Sequence, residues 1–283
     1  MDNNIIFYSN LKKIISDNIL NVSGEEIDKM YNSWVQDKDI KEVKRNFVYP
    51  DVMIHKNQNI PKNVSLKGID LPTWFGDYSN KKIVVLGIDP LRSESVFKRE
   101  KNADIDNDVI IGTPYAFHEK ETREKWCAGY WALVDGLVQL NHFVYCTDIF
   151  KTYYYNIESK RRSYSDSISG FTTNSYHSEV LKKELELINP DLIIVFGKIA
   201  YEKLLEKKCP KIGQDIVNTK DIYKLENKNV DVLTVLHLSK GTRGKNFKTF
   251  FESNDMDTNT LNVENRVDCA KKYVEMFHKL KLI

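Results

Sequence analysis

KKIVVLGIDPLRSE, residues 81 to 94, decides how this chain is to be read. Ile83 to Leu86 is an unbroken apolar run, mostly β-branched, closed by Gly87 and then broken by Asp89-Pro90. A strand buried on both faces of a parallel sheet has this form: short, continuously apolar and ended by punctuation. Pro90 has no N–H to give to a ladder, so the strand stops there. In open α/β sheets the working residues sit just past the carboxyl ends of such strands. Asp89 is therefore a carboxylate delivered to an active crevice. The device recurs twice: Phe143 to Thr147 ends at Asp148, and Val232 to Leu236 ends at His237. Strand ends that offer Asp, Asp and His point to a site rather than a scaffold.

Outward from this run, helical and strand patterns alternate. Thr122 to Leu140 places Trp126, Tyr130, Trp131, Val134, Leu137 and Val138 on one broad helical face. Ser178 to Ile188 is a helix, Leu192 to Phe196 a third core strand, and Gly197 to about Lys207 another helix. The fourth strand covers 231 to 236, and a last helix about 264 to 281. Such alternation predicts an α/β fold with three α/β/α layers around a central four-stranded parallel sheet. Ahead of it, 5 to 21 and 25 to 36 carry helical spacing, with Ser23 and Glu26 in capping-box positions. Residues 37 to 80 are polar and irregular, with prolines at 50, 61 and 72. The expected division is an N-terminal helical extension over 1–78 and an α/β/α domain over 79–283. Residues 92 to 110 form a charged loop, and 150 to 177 a long polar, aromatic and basic one. A loop of that length inside a compact domain is usually functional or disordered.

The totals exclude several classes. The 283 residues, 41% hydrophobic and 29% charged, describe a globular chain with ample core material. A net charge of +2 does not announce a nucleic-acid partner, so any such face comes from local clustering. Cys127, Cys146, Cys209 and Cys269 are scattered without a C-x-x-C pair, which fits free thiols in a reducing compartment better than metal ligation. The N-terminal residues MDNNIIFYSN lack a signal-peptide pattern, and no apolar run approaches the ~20 residues of a membrane span. A cytoplasmic monomer with no membrane partner is the expectation.

Five stretches, taken in order, resemble the motifs of the uracil-DNA glycosylase superfamily. They are GIDP at 87–90, GTPYA at 112–116, VYCTDIFK at 144–151, INPDLIIVFGKIAYEKL at 188–204 and HLSKGTRG at 237–244. Together they span about residues 80 to 280. The resemblance implies an enzyme that takes a base out of the DNA stack and hydrolyses its glycosidic bond. It implies that Asp89 stabilises the cationic sugar and orients a water, and that His237 donates a hydrogen bond to the departing base. It places Tyr115 as the stacking aromatic, and Ile88, Leu91 and Asp148 around the base. Arg92, Ser239, Lys240, Arg243 and Lys245 become candidates for holding DNA, with Lys248, Lys151, Arg161 and Arg162 behind them. No cofactor and no metal is implied, since the spaced cysteines of the iron–sulfur members are missing. Outside the resemblance, Asp89 reads as a helix cap or turn former, His237 as a satisfied strand-end histidine, and Tyr115 as a loop aromatic filling a gap.

Three departures from the family pattern bear on the substrate. Asp148 stands where the uracil-reading enzymes have Asn, and an ionised carboxylate only accepts hydrogen bonds. It suits an exocyclic amine such as that of cytosine. Leu91 replaces the Tyr that blocks 5-substituted pyrimidines. Leu238 replaces the usual Pro, and Gly241 lies where some members carry an apolar wedge, so Arg243 or a residue of the 150 to 177 loop would have to fill the vacated stack, and the expected partner is single- or double-stranded DNA. The expected activity is a monofunctional DNA glycosylase acting on uracil or a C5-modified cytosine, in repair or in phage defence. The competing readings are a catalytically weakened DNA-binding protein on the same fold and a flavodoxin-like nucleotide enzyme. Against the latter, no G-x-G-x-x-G or P-loop pattern is present.

Overall fold

The computed structural model describes residues 3–34, 46–50, 63–88, 96, 104, 108–156, 158, 161–162, 176–209 and 220–283. The chain divides into two compact units. The first is Met1–Thr73, Ile88–Lys120 and Thr147–Ile188; the second is Trp74–Gly87, Glu121–Cys146 and Asn189–Ile283. Along the chain the strands are β1 (Phe47–Pro50), β2 (Val64–Asp70), β3 (Thr73–Phe75), β4 (Lys82–Gly87), β5 (Asp108–Gly112), β6 (Phe143–Asp148), β7 (Thr152–Asn156), β8 (Arg161–Arg162), β9 (Leu192–Phe196), β10 (Lys220–Lys224) and β11 (Asn229–Val235).

The second unit is built on the sheet that the apolar runs foretell. Its order is β10-β11-β9-β4-β6-β3. β9 is parallel to both neighbours, with Leu192 opposite Ile83 on one side and Asp231 on the other. Phe143 N–H donates to Lys81 O and Phe150 N–H to Ile88 O, so β6 runs parallel to β4 as well. Ile83 to Gly87 and Leu192 to Phe196 are buried throughout, as a strand covered on both faces must be. The sheet has six strands rather than the four expected. The two extra strands are edges. β10 is antiparallel and alternates half-buried with exposed residues, and β3 has only three residues. Neither edge carries an apolar run. The step from β4 to β6 is opposite in sense to the step from β9 to β11. Right-handed crossovers therefore put helices Ala128–Gln139 and Gly197–Leu205 on opposite faces. Helix Arg266–Lys279 packs against Ala128–Gln139, close enough that a Cβ on Gly129 would lie 2.7 Å from Arg266 Cβ.

One helix here was not foreseen. Gly244–Ser253 buries Phe247, Phe250 and Phe251, an i, i+3, i+4 helical pattern.

The first unit holds a sheet that the sequence reading missed altogether. Its order is β1-β5-β2-β7-β8. All five strands come from segments taken as lead-in or loop. The reason is compositional. β2 is interrupted by Lys67, which sits at a register shift between Leu66 and Gly68, and β7 is TYYYN. Tyrosine hydroxyls make that segment look polar, although aromatics favour strands. The two N-terminal helices, Asn3–Asn18 and Gly24–Trp34, form as expected, burying Phe7, Leu11 and Ile15, and Ile27, Met30, Tyr31 and Trp34. Ser23 Oγ accepts from Glu26 N–H at 3.2 Å, the cap its position predicts. Tyr31 donates to Pro72 O at 2.9 Å, tying the second helix to the end of β2. Among the described residues no helix is long and apolar enough to cross a membrane.

Candidate functional site

In the first unit, strand directions gather candidates at one edge. β2 lies between β5 and β7, parallel to the first and antiparallel to the second. Its carboxyl end therefore lies beside the end of β5 and the start of β7. Ile69 pairs with Ile111 on one side and Thr152 on the other, and Asp70 pairs with Gly112. The loop after β5 carries Tyr115, and the segment before β7 carries Asp148. The two emerge from strands two spacings, or about 10 Å, apart. Phe150 N–H donates to Ile88 O at 2.8 Å, which brings the residue preceding Asp89 to the same edge. Asp89, Leu91 and Arg92 themselves lie outside the described residues. Asp70 is a buried carboxylate at this edge that the sequence reading did not single out.

Asp148 is only 3% exposed. The residues after it are held by a buried ionic cluster. Lys151 Nζ donates to Glu184 Oε2 at 2.7 Å and to Thr147 Oγ1 at 2.6 Å, and Thr147 donates to the same Glu184 oxygen at 2.8 Å. Both charged side chains are 0% exposed. Lys151 is thus an internal tether, not the DNA-facing cation that its place in a basic stretch suggested. Burial raises the Glu184 carboxyl above its ordinary pKa, with Lys151 and Thr147 offsetting part of that rise. His177 Nδ1 accepts from Lys151 N–H at 3.1 Å. Burial, helped by the Lys151 charge, pushes His177 down to about 3, so it stays neutral and serves as a fixed acceptor.

The loop bearing Tyr115 is strained. Tyr115 and Ala116 have φ of 55° and 50°, left-handed values that non-glycine residues seldom take in succession. Thr113 and His118 close the turn: Thr113 Oγ1 lies 2.9 Å from His118 Nδ1 and accepts from His118 N–H at 3.3 Å. Trp34 packs on the His118 ring at 5.0 Å. Tyr115 is half-buried with its ring 5.4 Å from that of Phe117, so it is not an ordinary core aromatic.

In the second unit, His237 follows β11 and is enclosed by groups from three elements. Its ring stacks near Phe196 at 6.0 Å, and its Nδ1 lies 3.3 Å from Tyr130 Oη. Gly197, with φ +79°, sits so close that a Cβ there would lie 2.5 Å from His237 Nε2. In the sequence Tyr130 is one residue of a helix face, and nothing in its spacing distinguishes it from core. Arg266, also unremarked in the sequence, pins the loop after His237. Its guanidinium donates to the carbonyls of Ser239, Thr242 and Val263. Ser239, Lys240, Arg243 and Lys245 are all exposed on that loop and the helix start that follows. Lys240 Nζ lies 6.0 Å from the ring of Trp126, which is 68% exposed. A cation beside an exposed indole is a surface suited to a base and its phosphate. Among the described residues no group of three His, Cys, Asp or Glu side chains is arranged to hold a metal.

A family model described as Uracil DNA glycosylase superfamily matches residues 73–255. No curated protein sequence matches the chain significantly.

Proposed function

Because the chain belongs to the uracil-DNA glycosylase superfamily, we propose that it is a monofunctional DNA glycosylase whose favoured base is a C5-modified cytosine. The observation that carries this reading is the gathering of Tyr115, Asp148 and Ile88 at one sheet edge. A stacking ring and a base-reading carboxylate emerge there beside the backbone that leads into Asp89. As the glycosidic bond breaks, its electron pair leaves with the base and positive charge grows on the sugar. Asp89 stabilises that charge and orients the water whose oxygen bonds to the sugar carbon. His237 supplies a hydrogen bond to the departing base. An ionised Asp148 only accepts hydrogen bonds, and the exocyclic amine of cytosine is a matching donor. Leu91, in place of a bulkier Tyr, leaves space at C5. Modified cytosines of this kind occur in phage DNA, so the proposed role is defence, carried out by a cytoplasmic monomer without cofactor or metal.

The test is a base-release assay on oligonucleotides carrying uracil, cytosine, 5-methylcytosine, 5-hydroxymethylcytosine or its glucosylated form, in single and double strands, with Asp89→Ala as control. Release of a modified cytosine supports the reading in full. Release of uracil alone keeps the glycosylase and removes the inference from Asp148 and Leu91. Binding to DNA with no release of any base would point to a binding protein on the same fold.

Lys240 and Trp126 are proposed to hold single-stranded DNA. Replacing Trp126 with Ala is expected to weaken single-stranded DNA binding on the order of 10-fold, within the ~1–3 kcal/mol of one base–aromatic stack. Wild-type fluorescence should be quenched on binding, and the quench should largely disappear in the variant. Equal affinities and equal quenching would remove Trp126 from the DNA face.

A further inference from the structure

We infer that Tyr130 is a positioning residue that sets which nitrogen of His237 carries the proton. The inference rests on the reading of His237 as a hydrogen-bond donor to the base. A neutral imidazole has one N–H, and only that nitrogen can donate. Tyr130 Oη lies 3.3 Å from Nδ1. The phenol also has a single proton. Ser239, on the loop just past His237, is a second hydrogen-bond partner of Tyr130. When the phenol donates that proton to Nδ1, the imidazole's own proton is left on Nε2, as a donor to the base requires. Burial raises Tyr130 above its ordinary pKa, which keeps that phenol proton in place at any physiological pH.

The surroundings hold this arrangement still. Tyr130 packs edge-on against Phe196 at 4.9 Å, and Phe196 stacks with His237. Arg266 anchors the Ser239 carbonyl at 3.0 Å, so the serine is held in register with the phenol. The helix carrying Tyr130, the strand carrying Phe196 and the loop carrying His237 thus meet around the Tyr130–His237 pair inside the second unit.

The tautomer can be observed directly, without activity. In ¹⁵N-histidine-labelled protein, long-range ¹H–¹⁵N spectra distinguish a protonated ring nitrogen from a bare one. The chain has six histidines, and His237→Gln assigns the signal of interest. The expected result is a proton on Nε2 of His237 in the wild type. Tyr130→Phe keeps the ring contact with Phe196 and removes the hydroxyl, and should shift His237 to a mixture of tautomers. A wild-type proton on Nδ1, or a spectrum unchanged by Tyr130→Phe, would overturn the inference. If Tyr130→Phe does not fold, the wild-type spectrum alone decides, since a proton on Nε2 of His237 is required. In base release, Tyr130→Phe should lower kcat roughly 10-fold and leave KM nearly unchanged, the pattern of a lost transition-state contact. If the wild type releases no base, the glycosylase reading falls, while the spectra still decide the role of Tyr130.

Discussion

Glu184→Gln is expected to cost the fold about 3–5 kcal/mol, because it strands a buried ammonium without its counter-charge. Against a total stability of about 5–15 kcal/mol this is severe. The lysine cannot reach water: both side chains of the pair are 0% exposed. Glutamine keeps one acceptor oxygen for Lys151 and Thr147 but supplies no negative charge. Lys151→Met should cost less. It leaves a lone carboxyl, and a carboxyl can take up a proton and stay neutral. Burial already raises Glu184 above its ordinary pKa while Lys151 opposes the rise, so removing Lys151 raises it further. The sign follows. A carboxyl with a raised folded pKa favours the native state fully below its unfolded pKa of about 4.3, and that advantage is lost as pH rises through the folded pKa. Lys151→Met is therefore most stable in acid and weakens as pH rises, whereas Glu184→Gln keeps a buried ammonium and gains nothing from acid. Urea unfolding of both variants at several pH values checks the contrast. Equal costs with equal pH profiles would mean that the pair is not the internal tether described.

Gly197→Ala carries the second large effect, by two routes. The backbone there has φ +79°, a conformation that costs an L-residue about 1–2 kcal/mol. The added methyl also has nowhere to go: it would lie 2.5 Å from Nε2 and 2.6 Å from Cδ2 of His237. The imidazole must move, and with it the hydrogen bond that it offers the departing base. The melting midpoint should fall by several degrees, on the scale of 2–4 °C per kcal/mol for a chain of this size. Base release should fall about 100-fold, the loss seen when one such donor is removed. His237→Gln is the comparison: if Gly197→Ala loses stability but keeps its release rate, the glycine serves the backbone alone.

What was legible in the sequence follows the apolar runs. Ile83–Leu86, Phe143–Cys146, Leu192–Phe196 and Val232–Val235 are covered on both faces, so continuous burial shows directly in composition. The strand-end positions of Asp148 and His237 followed from that. The first unit's sheet was not legible, since its strands mix Lys67, Asp70 and the tyrosines of β7 with short apolar pieces, and no window shows a clean period. Tyr130 and Glu184 were hidden for another reason. Each lies on a helix at ordinary core spacing, and only the partner brought up by tertiary packing, His237 or Lys151, gives it a role. Lys151 failed in the opposite direction. A lysine in a basic stretch reads as solvated, and nothing nearby in sequence reveals Glu184, 33 residues further on.

The segmental layout of the first unit has a consequence for how the chain is made. β2 waits for β5, some 40 residues later, and for β7, some 80 residues later, before either flank is paired. On a ribosome adding about 5–20 residues per second, β2 therefore remains an open edge for seconds after it emerges. The N-terminal helices, complete long before, are the first structure available to shield it. Contacts this distant in sequence also form slowly. Newly synthesised chains should therefore be most prone to aggregate in the interval before residue 156 emerges.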